Sequence, residues 1–362
     1  MIDRATTHWI DLSLVEGLGP AGYRALLSAF GLPEEVLRAS TSQLGRIVGP
    51  SLADAIKRND RQAAVESTVL WLGHANRHLL TFADPAYPKA LLEISDPPPL
   101  IYVCGSTEWL SRPALAIVGS RNATAQGRET AEQFARTLSQ AGLTVISGLA
   151  LGIDTAAHRG ALEGKGSTIA IIGTGPDLMY PKSNERLGNQ IADRGALISE
   201  FPLGTPPVPG NFPRRNRLIS GLSMGVLVVE AAVSSGSLIT AKLAADQGRE
   251  VFAIPGSIHS PLSRGGHALI KQGAKLVESA QDVLDELRVD LGVPQANALE
   301  VNPNMSGSNN AVLQYMGYDP CSIDTIVERS RLTPAAVSAI LLQLELEGGV
   351  ASLPGGLYQR IR

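Results

Sequence analysis

The sequence has two cysteines in 362 residues, Cys104 and Cys321, and no Cys-x-x-Cys or Cys/His spacing accompanies either. That excludes a disulfide framework and a zinc finger, predicts no bound metal, and fits a reducing cytoplasm. It has no run of eighteen apolar residues and no apolar stretch of secretory length near its start, so neither a membrane span nor export is expected. Aromatic residues make up only 4%, which limits any function built on stacking. A large charge of one sign is missing too, the formal net charge being -3.

What charge there is lies unevenly. Residues 1–80 hold eight Lys/Arg and eight Asp/Glu, whereas residues 115–280 hold sixteen Lys/Arg against twelve Asp/Glu. An anionic partner should therefore meet the middle of the chain. Within that middle, FPRRNRLISGL (212–222) places Arg214, Arg215 and Arg217 within four positions. Guanidinium forks match phosphate and carboxylate oxygens, and the alternative reading is a solvated turn.

The chain divides by pattern. LVEGLGPAGYRALLSAFG and SQLGRIVGPSLADAI each read as a Gly-rich turn followed by a short amphipathic helix, which predicts an all-α helix-hairpin-helix (SAM-like) domain over residues 1–80. Having no net positive charge, it reads as a packing or contact module rather than a phosphate binder. The Pro97–Pro99 run marks a connector. Over 81–288, apolar runs at 114–119, 143–147, 168–173, 225–230 and 250–255 alternate with helix patterns at 125–141, 153–164, 184–194 and 236–248. Such alternation predicts an α/β core with a doubly wound, mostly parallel sheet, its ligands lying beyond the carboxyl ends of the strands. Residues 289–308 read as a polar linker, and 309–362, with three helices and a β-ribbon, as a winged-helix domain.

The segments after the strands carry the chemistry. Gly119, Ser120 and Arg121 precede a helix start, which makes an anion cradle. This loop has neither the dinucleotide-binding glycine pattern nor the nucleoside-triphosphate loop, so neither NAD nor ATP is expected as cofactor. The second strand ends in Ser147 and Gly148, and Asp154 and His158 stand one helical turn apart; an acid/base pair is conceivable there, but structural roles are favoured. Lys182 lies in a loop after the third strand, where its ammonium can reach a phosphate, beside Tyr180, which could offer a face for a base. Gly236 and Ser237 open another Ser/Gly-rich helix start, and these loops should converge on one edge. Phe212 to Arg217 are expected in a loop region over the same sheet edge.

The motifs VGSRNAT, SGLALGIDTAAHRGAL, YPKSNERL, LISEFPLGTPP, FPRRNRLISGLS and SGSLITAKLAADQGREVFAIPG occur in this order. In that order they resemble the DNA-processing protein A (DprA, or Smf) family, over roughly residues 80–288. The resemblance implies a Rossmann-like core that binds single-stranded DNA without sequence preference, forms a homodimer and loads RecA in natural transformation, alongside single-strand-binding protein. It implies no enzymatic reaction. Carried over by motif, the DNA contacts fall on Arg121, Lys182, Arg214, Arg215, Asn216 and Arg217, the last four divided between phosphate contacts and internal ties with at least one arginine bracing the segment. Phe212 is the stacking candidate, and Gly119, Ser120, Ser147 and Gly148 lie in the adjoining loops. Dimer and RecA contacts map to Leu243, Leu269 and Ile270. The runner-up is a nucleotide- or phosphoribosyl-processing enzyme, for which Glu200 and Glu230 would be the carboxylates; the third reading is a recombination scaffold. The helix pattern PAAVSAILLQLELEG has no Lys or Arg, which favours partner contact over DNA contact for the winged-helix domain.

Overall fold

The computed structural model describes residues 3–58, 60–288, 312–313 and 315–361. Six helices open the chain: α1 (Arg4–Ser13), α2 (Pro20–Phe30), α3 (Pro33–Arg38), α4 (Thr41–Val48), α5 (Pro50–Lys57) and α6 (Gln62–Leu72). Their starts are written locally. Pro20, Pro33 and Pro50 occupy first helical positions, where a missing N–H costs nothing, and Ser40 with Gln43 forms a capping box before α4. Gly17 and Gly49, at φ +81° and +85°, turn the chain between α1 and α2 and between α4 and α5. Trp9, Leu12, Tyr23, Leu26, Leu44 and Ile56 form the core of this unit, which Leu100 and Tyr102 of the sheet complete.

The nine strands of the central sheet are β1 (Arg77–Thr81), β2 (Leu100–Gly105), β3 (Ala114–Val118), β4 (Thr144–Ser147), β5 (Thr168–Ile171), β6 (Ala196–Ser199), β7 (Gly225–Val228), β8 (Glu250–Ala253) and β9 (Lys275–Leu276). Their spatial order is β1-β2-β6-β5-β4-β3-β7-β8-β9, parallel from β6 to β9 and antiparallel at β1–β2 and β2–β6. The five expected strands are present as β3, β4, β5, β7 and β8; β1, β2, β6 and β9 were not read from the sequence. β1 begins within the segment assigned to the helical domain, so the sheet starts at Arg77.

α7 (Lys89–Leu92) lies between β1 and β2, the crossovers contain α8 (Ala125–Ala141), α9 (Ile153–Ala161), α10 (Glu185–Arg194), α11 (Asn211–Gly221), α12 (Gly236–Asp246) and α13 (Arg264–Lys271), and α14 (Ala280–Leu287) follows the last strand. β3 is the first parallel strand; chain order runs outward from it to β6 on one side and resumes at β7 on the other. The winding reverses between β3 and β7, where a doubly wound sheet opens a crevice at its carboxyl edge.

α11 corrects the expectation of a loop for FPRRNRLISGL. Pro213 is its third residue, inside the first turn, where proline is compatible with a helix, and the buried Arg215, Leu218, Ile219 and Leu222 follow at helical spacing.

The proposed linker, 289–308, lies outside the described residues. Beyond it, β10 (Cys321–Ser322), α15 (Ile323–Ser330), α16 (Pro334–Leu346), β11 (Val350–Leu353) and β12 (Leu357–Arg360) form a winged helix, with sheet order β10-β12-β11. Val312, Leu313 and Met316 pack into its core with Ile326, Val337, Leu341 and Leu344. No helix among the described residues is long and apolar enough to cross a membrane.

Candidate nucleic-acid interface

The loop after β3 passes so close to its neighbours that only glycine fits at its start. A Cβ on Gly119 would lie 2.6 Å from Ile153 Cγ1 and 2.9 Å from the Glu230 carbonyl oxygen. Ser120 N–H donates to that carbonyl at 2.7 Å, and Glu230 itself caps α8, accepting from Thr124 N (2.9 Å) and Thr124 Oγ1 (2.6 Å). The β3 and β7 loops are thereby tied together, and Arg121 is left exposed above them. Its guanidinium sits 5.6 Å from the centre of the Phe212 ring, and Phe212 and Tyr180 approach each other at 5.6 Å with planes inclined by 41°.

These side chains border a crevice of about 610 Å³ at the reversal point between β3 and β7. Its far wall is the start of α12, where Ser235 caps the helix by accepting from Ser237 N, so a helix N-terminus with its free amides lines the crevice. A recess of about 60 Å³, lined by Arg121, Gly148, Tyr180, Phe212 and Arg215 among others, adjoins it.

The helical period of α11 divides the arginine cluster. Phe212, Arg215 and Asn216 face the crevice, whereas Arg214 and Arg217 turn to the opposite side, toward Glu200. Arg215 is 4% exposed and donates through Nη1 to the carbonyls of Gly148 (2.6 Å) and Ile171 and through Nε to Asn216 Oδ1 (3.1 Å). Burial lowers its pKa to about 10, against the nearby Asp154 carboxylate, so it keeps its charge at neutral pH. It tethers the ends of β4 and β5 while presenting positive charge at the crevice floor. A Cβ on Gly148 would lie 2.4 Å from Arg215 Nη1, which explains the glycine there.

Asp154 accepts from the amides of Gly148 (3.1 Å) and Ala150 (3.3 Å); burial raises its pKa and Arg215 counters the rise. His158 is fully buried, with Nδ1 2.8 Å from Thr168 Oγ1 and Nε2 accepting from Leu149 N at 3.3 Å. Since Thr168 Oγ1 donates onward to Val145 O, the ring carries its proton on Nδ1 and is neutral, and burial lowers its pKa to about 3. The two residues hold separate structural partners instead of forming an acid/base pair.

Arg217 pairs with the buried Glu200 and lies 3.5 Å from Asp96, which also receives Arg24 of α2 at 2.9 Å. Arg214 adds a bond to Glu200 at 3.1 Å and lies over the Phe201 ring. Burial raises the Glu200 pKa, and the two guanidiniums oppose that rise. Glu200 and Glu230, the carboxylates of the enzyme reading, are thus both engaged as ties.

Of the residues singled out from the sequence, Gly119, Ser120, Arg121, Phe212, Arg215 and Asn216 line the crevice, and Gly148 lines its recess. Lys182 is exposed one residue beyond Pro181, which borders the recess. Ser147 is corrected: it is buried, and its hydroxyl donates to Ile117 O at 2.7 Å within the sheet. The expected division of the arginine cluster between phosphate contacts and internal ties has Arg217 on the tie side, 9% exposed and committed to Glu200, with Arg214 off the crevice. Leu243 on α12 and Leu269 and Ile270 on α13 are half-buried, near the more exposed Ile239 and Leu276. Tyr180, a candidate face for a base, and the Ser/Gly-rich helix start at Gly236 and Ser237 also line the crevice, the latter extending as a wall from Ser234 to Ser237.

Comparison with known proteins places these features in context. The model of the family described as DNA recombination-mediator protein A matches residues 78–288, and that of the DprA winged helix domain matches residues 297–356. The chain is 43% identical over 308 residues to Protein Smf of Escherichia coli, covering 83% of this chain and 81% of that protein. It is 50% identical over 203 residues to the DNA processing protein DprA of Streptococcus pneumoniae, covering 56% and 72%. The X-ray structure of the S. pneumoniae protein superimposes with a TM-score of 0.69 at 39% identity, covering 77% of this chain and 97% of that one. A Helicobacter pylori DNA processing protein A, whose structure is described as giving insight into its single-stranded DNA binding mode, superimposes with a TM-score of 0.54 at 31% identity, covering 59% and 97%.

Proposed function

The chain belongs to the DprA/Smf family, and from that premise we propose that it binds single-stranded DNA without sequence preference, through the crevice between β3 and β7. The observation that carries the reading is the grouping, at one sheet edge, of Arg121, the charged floor formed by Arg215, the α12 N-terminus and the Phe212–Tyr180 ring pair. Cations and helix amides suit phosphates of any sequence, and ring faces suit any base. No reaction is assigned, since Glu200 and Glu230 are engaged in ties and Asp154 and His158 in structural bonds. The H. pylori relative's described binding of single-stranded DNA supports the same class of ligand.

On this reading the protein acts in the cytoplasm as a homodimer through the α12–α13 face carrying Leu243, Leu269 and Ile270. It protects incoming DNA during natural transformation and loads RecA onto it in the presence of single-strand-binding protein. The test is fluorescence anisotropy with short oligo(dT) across a salt series. Arg121→Ala and Lys182→Ala should each weaken binding and reduce the log–log salt slope by about 0.7, the value for one phosphate contact on a single strand. Unchanged affinity and slope in both variants would remove the crevice assignment. RecA loading is read separately, as RecA-driven strand exchange on DNA precoated with single-strand-binding protein; no stimulation by this protein would remove that part alone.

A further inference from the structure

The winged-helix domain carries a surface that the crevice does not use. α16 contains no Lys or Arg, so it has neither phosphate partners nor the guanidinium forks that read guanine in a groove. One face of the helix buries Val337, Leu341 and Leu344 in the domain's own core. The other exposes Ala335, Ala339, Leu342 and Leu346, with Leu342 60% and Leu346 82% exposed. Steps of four, three and four residues place these side chains along a single seam, the spacing by which one helix packs on another.

We propose that this seam docks against the same helix of a second copy of the chain, antiparallel about a two-fold axis. The seam is complementary to itself in that sense only. In the register that sets Ala335 opposite Leu346 of the second copy, Ala339 falls opposite Leu342, so every large side chain meets a small one and the helices can approach closely. A parallel pairing would set alanine on alanine at one end and leucine on leucine at the other.

The charges at the helix ends agree. Arg331 is exposed just before α16 and Glu347 just after it, and among the described residues neither has an ion-pair partner. The antiparallel arrangement brings Arg331 of each copy beside Glu347 of the other and opposes the two helix dipoles; the parallel one stacks like charges. A helix of 13 residues is about 20 Å long, so the contact is a small one and belongs to the weak, transient class.

The test is oxidative cross-linking of the full chain with copper–phenanthroline, which traps weak contacts. Cys104 and Cys321 are both buried, so introduced surface cysteines dominate the reaction. Differently tagged Ala335→Cys and Leu346→Cys proteins are oxidised separately and mixed. The mixture should give a covalent heterodimer at least tenfold above either protein alone, because in the proposed register two copies of position 335 lie about 16 Å apart along the axis, beyond disulfide reach. Adding Leu342→Glu, a change at an exposed position that leaves the thermal melt in place, should abolish the heterodimer. A mixture no more cross-linked than the separate samples, self-cross-linking of Ala335→Cys at a comparable level, or a heterodimer indifferent to Leu342→Glu would each overturn the proposal.

Discussion

Arg214 and Arg215 are adjacent and chemically identical, yet removing them should have opposite consequences. Arg215→Met retains most of the side-chain volume but deletes the donors to Gly148 O and Ile171 O and leaves the buried Asp154 without its facing cation. Breaking a buried charge arrangement of this kind costs about 3–5 kcal/mol, because the remaining polar groups stay desolvated. Arg214, with 43% of its side chain exposed, makes a single bond to Glu200, which keeps Arg217 when Arg214 is gone. Because the Arg214 side of the pair is open to solvent and the buried Glu200 keeps its other guanidinium, Arg214→Ala should stay within about 1 kcal/mol of the parent. Urea melts followed by circular dichroism measure both. Oligo(dT) anisotropy in parallel should show an unchanged salt slope for Arg214→Ala, since that guanidinium lies across α11 from the crevice. An Arg215→Met protein as stable as the parent, or an Arg214→Ala protein that loses more than about 2 kcal/mol, would refute the division of the cluster by helical period.

Acid should expose the buried imidazole. His158 is held neutral with a pKa of about 3, so below pH 6.5 the unfolded chain binds a proton that the folded one refuses, and stability falls as pH falls. This residue alone should account for about 2 kcal/mol between pH 6.5 and 5, and urea midpoints of His158→Gln should lack that component; parallel pH profiles for parent and variant would contradict it. Gly148→Ala should destabilise by about 1–3 kcal/mol, because its Cβ would intrude on the Arg215 guanidinium, and the penalty should shrink in an Arg215→Met background. A double-mutant cycle showing additive effects would mean that the clash is not what glycine avoids there.

Strands β3, β4, β5 and β7 are buried on both faces and lie in apolar runs flanked by helix patterns, as does β8 despite its exposed first residue, and this is why they were legible without coordinates. β9, two residues long with both exposed, carries no such run; β1 is only partly buried, β2 follows the Pro97–Pro99 run directly, and β6, though buried, is only the four residues ALIS. The same locality limited the site. Gly119, Arg121 and the Ser/Gly start of α12 follow strands directly, so alternation alone assigned them to the carboxyl edge of the sheet.

The arginine cluster was visible as charge and expected in a loop region with its members divided between ties and contacts, but a loop does not say which arginine goes where. Helix α11 supplies the phase and sends Arg215 to one side and Arg214 and Arg217 to the other. The sequence by itself determined the fold class, the order of domains and which segments carry positive charge, since these rest on composition and short-range pattern, while the family was legible through motifs in matching order. Only the tertiary structure decided which charges are free. Arg215 meets Gly148 across 67 positions and Arg217 meets Glu200 across 17, and contacts at such separations depend on the path of the chain, which no local pattern encodes.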